Sequence, residues 1–389
     1  FYSHPESQVM ADKWGIMITT SHCEPLLFNN AAPSEWDSAR DGEWNFLTNG
    51  DVIVKKLDDR IRETAQYDNI YTTGMRGLHD EAMKGSEDPT VRARTLEQVF
   101  DVQREILEKY KGMPAEEIRQ IFVPYKETLD IYNAGLVVPD DITIVWTDDN
   151  YGYMKRVCND EESQRSGGNG VYYHMSYLGT PHDYLWVNTT APALVYSELK
   201  KAYDAGADRY WLLNAGDIKP MEIGVQMFMD MAWDFDDFSY ENANRCQAQW
   251  LASVFGKKYQ DRFQTILDEY YRLAWDRKPE YMGYEREWDP IPSNNDLHDS
   301  DYSFEDGSAQ ARLAAYKAVS DECEAIQKDL PEGLATAFFE VLGYSVKSSY
   351  QMNVKFLMAQ RNHETGSMEY ADASRAANDS IQALIAEYH

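Results

Sequence analysis

The sequence predicts an α/β chain. Residues 1–235 read as a (β/α)8 barrel of TIM type, N-terminally incomplete with about six of its eight strands, and residues 236–389 as a helical bundle. Two observations predict this. Six short β-like runs in the first 217 residues each end in polar, chemically capable side chains, and each of the first five is followed by a stretch able to supply a crossover helix. After Trp233 the strand signal vanishes, and apolar residues recur every three or four positions. Parallel strands aim their C-terminal ends at one face, so a repeat of strand, polar tip and helix is how such a barrel assembles an active site.

The strand runs are 16–20, 70–73, 121–125, 142–146, 171–173 and 210–213, each rich in β-branched or aromatic residues and bounded by turn residues. Between them, Asp51 is placed to cap a helix with Ile53, Leu57 and Ile61 on one face. Leu96, Val99, Phe100, Ile106 and Tyr110 form a second stripe, and Leu194, Leu199 and Tyr203 a third, stopped by Gly206. The remainder reads as four or five long helices, one of them marked by Leu313, Tyr316, Val319, Cys323, Ile326 and Leu330. Residues 277–308, rich in Pro, Gly, Asn and Asp, read as a long loop. Six strands leave a parallel barrel with open edges, so the two that would close it are expected before Phe1.

The 389 residues carry 66 acids against 37 bases, a formal charge of −29. Such a field repels phosphate backbones and anionic lipid, and no basic patch offsets it, so neither nucleic acid nor a membrane surface is an expected partner. Cys23, Cys158, Cys246 and Cys323 are widely spaced without a CxxC pair, which argues against a zinc ribbon or a disulfide framework.

The chemistry concentrates at the strand tips. Glu127, flanked by Tyr125 and Lys126, is a candidate general acid, because aromatic walls raise a carboxyl group toward that role; the bland alternative is a surface glutamate opening the next helix. Asp80, Glu81, Asp148 and Asp149 supply further carboxylates, and an acid and a carboxylate on opposite sides of a bond are the minimal equipment for glycoside hydrolysis. Taken singly, each such Asp is more often a turn residue. Arg76 could fork onto a substrate carboxylate, or form an internal salt bridge with Asp80 or Glu24. His22, His79 and His174 also fall at tips, but without HxH or HExxH spacing, so no metal is assigned and no cofactor is expected. The 27 Tyr and 10 Trp include Trp14, Trp36, Trp44, Trp146, Tyr151, Tyr173, Tyr177 and Trp186 near this face, as expected where sugar rings stack.

Read together, the tip segments IMITTSHCEP (16–25), GMRGLHDE (74–81), YKE (125–127), VPDDITIVWTDDNYG (138–152), YYHMSYLG (172–179) and NAGDIKPME (214–222) resemble glycoside hydrolase family 115, the xylan α-1,2-glucuronidases. The resemblance is dense to about Trp233 and weaker beyond. It implies an inverting hydrolase that removes glucuronic acid or its 4-O-methyl form from xylose in glucuronoxylan or its oligosaccharides. It assigns Glu127 as acid and Asp80 as the leading candidate for the water-activating carboxylate. Arg76 would bind the uronate carboxylate, and His22, Tyr125, Asn150, His174, Tyr177 and Asn214 match pocket positions. Cys23 stands where family members usually carry a second histidine. The family adds sequence on both sides of this stretch, so the chain is expected to be an internal portion. A polymeric substrate implies an extracellular or periplasmic location, and a homodimer is an expectation for the full-length protein. The competing readings are a non-catalytic glycan-binding barrel and a metal-dependent hydrolase.

Overall fold

The computed structural model describes residues 6–30, 34–179, 182–283 and 300–389. The chain folds as two compact units. Unit 1 comprises residues 1–148, 154–172 and 201–212, and unit 2 comprises residues 149–153, 173–200 and 213–389.

Unit 1 is organised by a parallel sheet. Its strands, β1 (Tyr71–Thr72), β2 (Gln120–Phe122), β3 (Thr143–Thr147), β4 (Asn169–His174) and β5 (Tyr210–Asn214), lie in sequence order as a five-stranded sheet, the hallmark of β-α-β winding. Tyr71 pairs with Gln120, Ile121 with Thr143, and Ile144 with Asn169, all parallel. The inner residues Ile121, Val123, Tyr125, Val145 and Tyr172 form one buried cluster, which explains the near-continuous apolar runs: such strands are covered on both faces.

Five of the six expected strands form. The sixth, at 16–20, makes a single parallel bridge, Ile18 to Asn69. Ile16 and Met17 are exposed, and the Thr72 hydroxyl donates to the Thr20 carbonyl at 2.7 Å, so a side chain replaces the next rung of the ladder.

The helices that precede and link these strands are α1 (Glu6–Trp14), α2 (Ser38–Asp41), α3 (Phe46–Thr64), α4 (Pro89–Lys111), α5 (Glu127–Asn133) and α6 (Pro192–Asp204). The stripe Ile53, Leu57 and Ile61 is buried as expected, but α3 begins earlier and is capped by Asn45, whose side chain accepts from Leu47 N–H at 3.1 Å, while Asp51 is exposed. Helix α4 starts with Asp88 as cap and Pro89 behind it, and stops at Gly112 in the left-handed region. It buries Leu96, Val99, Phe100 and Ile106; Tyr110 instead donates to Asp58 of α3 at 2.7 Å. Between β3 and β4 the connection carries only a 3-10 turn, Glu162–Gln164, where a crossover helix was expected.

Among the described residues no strand follows Asn214. Unit 2 is built from α7 (Glu222–Trp233), α8 (Cys246–Phe255), α9 (Gln260–Asp276), α10 (Ser308–Asp329), α11 (Glu332–Phe338), a π-helical segment Phe339–Gly343, α12 (Tyr344–Thr365) and α13 (Met368–Tyr388). Tyr316, Val319, Cys323 and Ile326 of α10 pack with Phe263, Tyr270, Phe338 and Leu342 in its core, while Leu313 faces a separate cluster with Leu357. Among the described residues Arg312 is buried without a carboxylate partner. It donates to Asn353 Oδ1 (2.7 Å), the Leu273 and Arg277 carbonyls (3.0 and 2.7 Å) and the Tyr302 hydroxyl (2.9 Å), and lies between the Tyr302 and Tyr316 rings. Carbonyls at the end of α9 thus meet a cation, as the helix dipole favours, Leu273 in addition to the Arg277 N–H it accepts at 3.2 Å. Of the expected loop 277–308, residues 284–299 lie outside the described residues. Among the described residues no helix is long and apolar enough to cross a membrane.

Candidate functional site

The tip of β1 in unit 1 is shaped by two glycines. At Gly74, with φ of 87°, an added Cβ would press on the Phe122 ring at 3.0 Å; at Gly77 it would fall 2.5 Å from the Ala82 carbonyl. Between them Arg76 turns into the protein, its carbonyl held by the Trp44 indole N–H at 2.8 Å. The chain then folds through a 3-10 turn, Leu78–Asp80, closed by a Gly77 N–H to Glu81 carbonyl bond of 3.0 Å. His79 and Asp80 adopt positive φ of 53° and 67° there. At the tip of β2, the Thr128 hydroxyl accepts from Tyr125 N–H (2.7 Å) and donates to the Tyr125 carbonyl (2.8 Å), closing a turn that places Lys126 at φ 53°, ψ −123°. Non-glycine residues rarely adopt such angles, and the surrounding structure must impose them.

These turns bring two carboxylates onto one guanidinium. Arg76 forks onto Glu127, Nε to Oε1 at 3.0 Å and Nη2 to Oε2 at 2.6 Å, while its Nη1 donates to Asp80 Oδ1. Glu127 Oε1 also accepts from Met83 N–H at 3.1 Å. His22 Nε2 lies 2.7 Å from Asp80 Oδ1 and 3.3 Å from Arg76 Nη1, and Lys126 Nζ is 3.4 Å from Asp80 Oδ2. The Tyr125 ring backs the group, 4.6 Å from the His22 ring, 5.4 Å from the Arg76 guanidinium carbon and 4.9 Å from Lys126 Nζ.

Exposure separates the members. The Arg76 side chain is 3% exposed and that of Glu127 15%, whereas Asp80 and Lys126 keep 38% and 42%. Burial by itself raises the Asp80 carboxyl, but the His22 hydrogen bond and the charges of His22, Arg76 and Lys126 outweigh it and hold the group below the usual carboxylate range. Burial opposes the charge on Arg76, and Glu127 and Asp80 more than restore it.

Of the two readings for Arg76, the structure shows the internal one: its guanidinium is engaged by the protein's own acids. Asp80 was one of the two foreseen internal partners; Glu24, the other, is not among them, and Glu127 takes its place. Glu127 does open α5, as the bland reading held, yet its carboxylate points into this network instead of to solvent. Trp36, Trp44 and Trp146, expected near sugar rings, are buried core. Asp149 behaves as a turn residue, accepting from Tyr151 and Tyr153 N–H at 3.0 and 3.1 Å.

Among the described residues, the one group with metal-ligand spacing is His22, Cys23 and Asp80, with ligand atoms within 4.8 Å of one another; it includes neither His79 nor His174. The donor set suits a cation poorly. Burial pushes the Cys23 thiol up to about 11, and Arg76 Nη1 already contacts both Asp80 Oδ1 and His22 Nε2.

Unit 2 gathers the other predicted residues around Tyr184, which sequence reasoning missed. The Tyr184 hydroxyl donates to the Asn150 carbonyl at 2.5 Å and lies 3.4 Å from that of His174. Its backbone forms an antiparallel bridge with Tyr177. Asn150 has φ of 72°, and the His174 and Tyr177 rings meet edge to face at 5.7 Å. The Asn214 carbonyl accepts from Met175 and Ser176 N–H at 2.8 and 3.3 Å, and its side-chain oxygen from Gly216 N–H at 3.1 Å. Tyr184 carried no sequence signal, since a tyrosine five residues beyond a tip segment reads as an ordinary loop aromatic.

The family model of glycosyl hydrolase family 115 matches residues 1–281. The chain belongs to glycosyl hydrolase family 115. It is similar to a solved family 115 4-O-methyl-α-glucuronidase with specificity for decorated arabinogalactans, at 40% identity and a TM-score of 0.92, covering 99% of this chain and 51% of that one. The family 115 chain described here therefore spans about half the length of that relative. No curated protein matches it significantly.

Proposed function

We propose that this family 115 chain is the catalytic portion of an α-glucuronidase that removes glucuronic acid or 4-O-methylglucuronic acid from a plant polysaccharide by inversion. The observation that carries the reading is the pair of carboxylates, Asp80 and Glu127, held on the Arg76 guanidinium at adjacent strand tips. Inversion needs an acid that protonates the leaving oxygen and a carboxylate that activates water on the opposite side. Asp80 suits the base: it is the more exposed of the two, and its surroundings favour the ionised form. Glu127 is the acid in this scheme. In the resting arrangement its oxygens accept three N–H donors, so carrying a proton requires Arg76 to loosen its fork when substrate enters. Arg76 is thus a positioning residue for both carboxylates, and Lys126 is the exposed cation that a uronate meets first. His22 and Tyr125 complete the wall. Asn150, His174, Tyr177 and Asn214 are proposed as further sugar contacts.

On this reading residues 1–235 supply about six strands of a (β/α)8 barrel, followed by a helical domain over 236–389, and the enzyme acts outside the cytoplasm, with a homodimer as the state of the full-length protein. The α-1,2 linkage to xylose in glucuronoxylan is the first substrate; the specificity of the solved relative makes decorated arabinogalactan the second. The test is release of 4-O-methylglucuronic acid from both polymers, with the anomer formed first read by proton NMR. Glu127→Gln and Asp80→Asn should each lose at least about a hundredfold in rate, in line with loss of an acid or base. Lys126→Ala should raise KM more than it lowers kcat. Retention of the starting anomeric configuration, or full activity of Asp80→Asn, would overturn the assignment.

A further inference from the structure

Unit 2 contains a cavity of 380 Å3 lined by residues from 151–194, 274–281 and Asp301, none of which belongs to the Asp80, Arg76 and Glu127 network. The volume falls within the roughly 300–1,000 Å3 of small-molecule sites. Its distinctive feature is Lys278. The ammonium donates to Thr189 Oγ1 at 2.9 Å, lies 3.4 Å from the Thr189 carbonyl, and sits 4.7 Å from the Tyr184 ring centroid. Among the described residues it forms no ion pair, in a protein whose acids outnumber its bases 66 to 37. Its neighbour Arg277 is matched by Asp301 at 2.9 Å. Burial lowers Lys278 to about 8, with Glu280 opposing, so the ammonium still predominates at neutral pH.

The walls are suited to a pyranose. Trp275, a residue 61% exposed, lines the cavity, an unusual position for the largest apolar side chain, and Tyr151, Tyr153 and Tyr281 add rings. Asp276 offers acceptors for ring hydroxyls. Glu280 acts on the Lys278 ammonium without an ion-pair contact, and its hydrogen-bond partners are the neutral Thr189 oxygens, so it gains from a carboxylate in direct contact, while flat apolar rings gain most from the C–H face of a sugar.

We propose that this cavity is a second glycan site that binds a uronyl residue, Lys278 taking its carboxylate and Trp275 its apolar face. The site stands on its own residues and does not depend on hydrolysis at Asp80 and Glu127. For a polymer carrying several acidic branches, such a site would hold one branch while another is cleaved, raising its effective concentration.

The experiment titrates free glucuronate, glucose and acetate into the chain and follows indole fluorescence. Glucuronate should change the emission, and Trp275→Phe, at an exposed position that folding tolerates, should abolish that change. Lys278→Met should weaken glucuronate binding at least tenfold, Lys278→Arg should restore it to within about threefold, and glucose should bind at least tenfold more weakly than glucuronate. Rate constants of Lys278→Met on a small aryl glucuronide, which fills one uronate site only, should match the parent. Equal glucuronate affinity in parent and Lys278→Met, displacement of glucuronate by equimolar acetate, or a fluorescence change that survives in Trp275→Phe would overturn the proposal.

Discussion

Replacing Arg76 by Met tests whether the centre is organised as described. The side chain is nearly fully buried and makes three charge-assisted hydrogen bonds to two carboxylates, two to Glu127 and one to Asp80. Methionine keeps the apolar stem and removes all three. Glu127, 15% exposed, keeps the Met83 N–H as the remaining donor of its three, which corresponds to breaking a buried pair, typically about 3–5 kcal/mol. Asp80, 38% exposed, retains His22 and Lys126 and regains water, so its share is discounted to well under 1 kcal/mol. The expected loss is about 3 kcal/mol, or roughly 6–12 °C in Tm for a unit of this size. Urea unfolding of Arg76→Met, Glu127→Gln and the double variant closes a cycle whose coupling energy should exceed about 1.5 kcal/mol. Arg76→Lys, which keeps charge but loses the fork, should recover less than half of the loss. A coupling energy near zero would show that the fork does not hold Glu127, and the positioning role of Arg76 would fall with it.

Two further outcomes follow from buried cations in unit 2. Arg312→Leu removes the guanidinium donors of the Arg277 carbonyl and the Asn353 side-chain oxygen and leaves Leu273 with the Arg277 N–H alone, and should cost about 2–3 kcal/mol in denaturant unfolding followed by circular dichroism; no loss would mean that these acceptors are hydrated without it. Lys278 has its folded value lowered from 10.5 to about 8, so between those values the folded state binds fewer protons and this group's contribution to stability rises with pH. Lys278→Met should therefore stabilise the chain by about 1–2 kcal/mol at pH 7, with the advantage shrinking as pH rises toward 10.5. Asp80 has the opposite signature: its stabilisation is present above its unfolded value and is lost as pH falls through its depressed folded value, so Asp80→Asn should flatten the acid limb of the stability profile.

The element types were legible because their signals are local. Short runs rich in β-branched and aromatic residues named five strands that form, and three-and-four spacing named the buried faces of α3, α4 and α10. The run 16–20 has the same composition and makes one bridge, because a ladder depends on a neighbour that residue types do not supply. The cap of α3 was misplaced from Asn45 to Asp51 since both are competent caps, and which one is used depends on where the incoming loop releases the chain.

Composition and order of residues determined that this is an acidic α/β chain whose polar side chains collect at strand ends, and the tip segments determined its family resemblance, since both are written in residue type and spacing. The tertiary structure decided what those side chains face. Glu127 and Arg76 are 51 positions apart, and the fork between them depends on two turns, at Asp80 and Lys126, that force positive φ. Lys278 likewise became a binding candidate only once folding had matched Arg277 to Asp301 and left its neighbour hydrogen-bonded to neutral oxygens, without an ion pair among the described residues. Charge pairing is set by distances of a few ångströms across the fold, where Coulomb energies change steeply, and no periodicity along the chain encodes it.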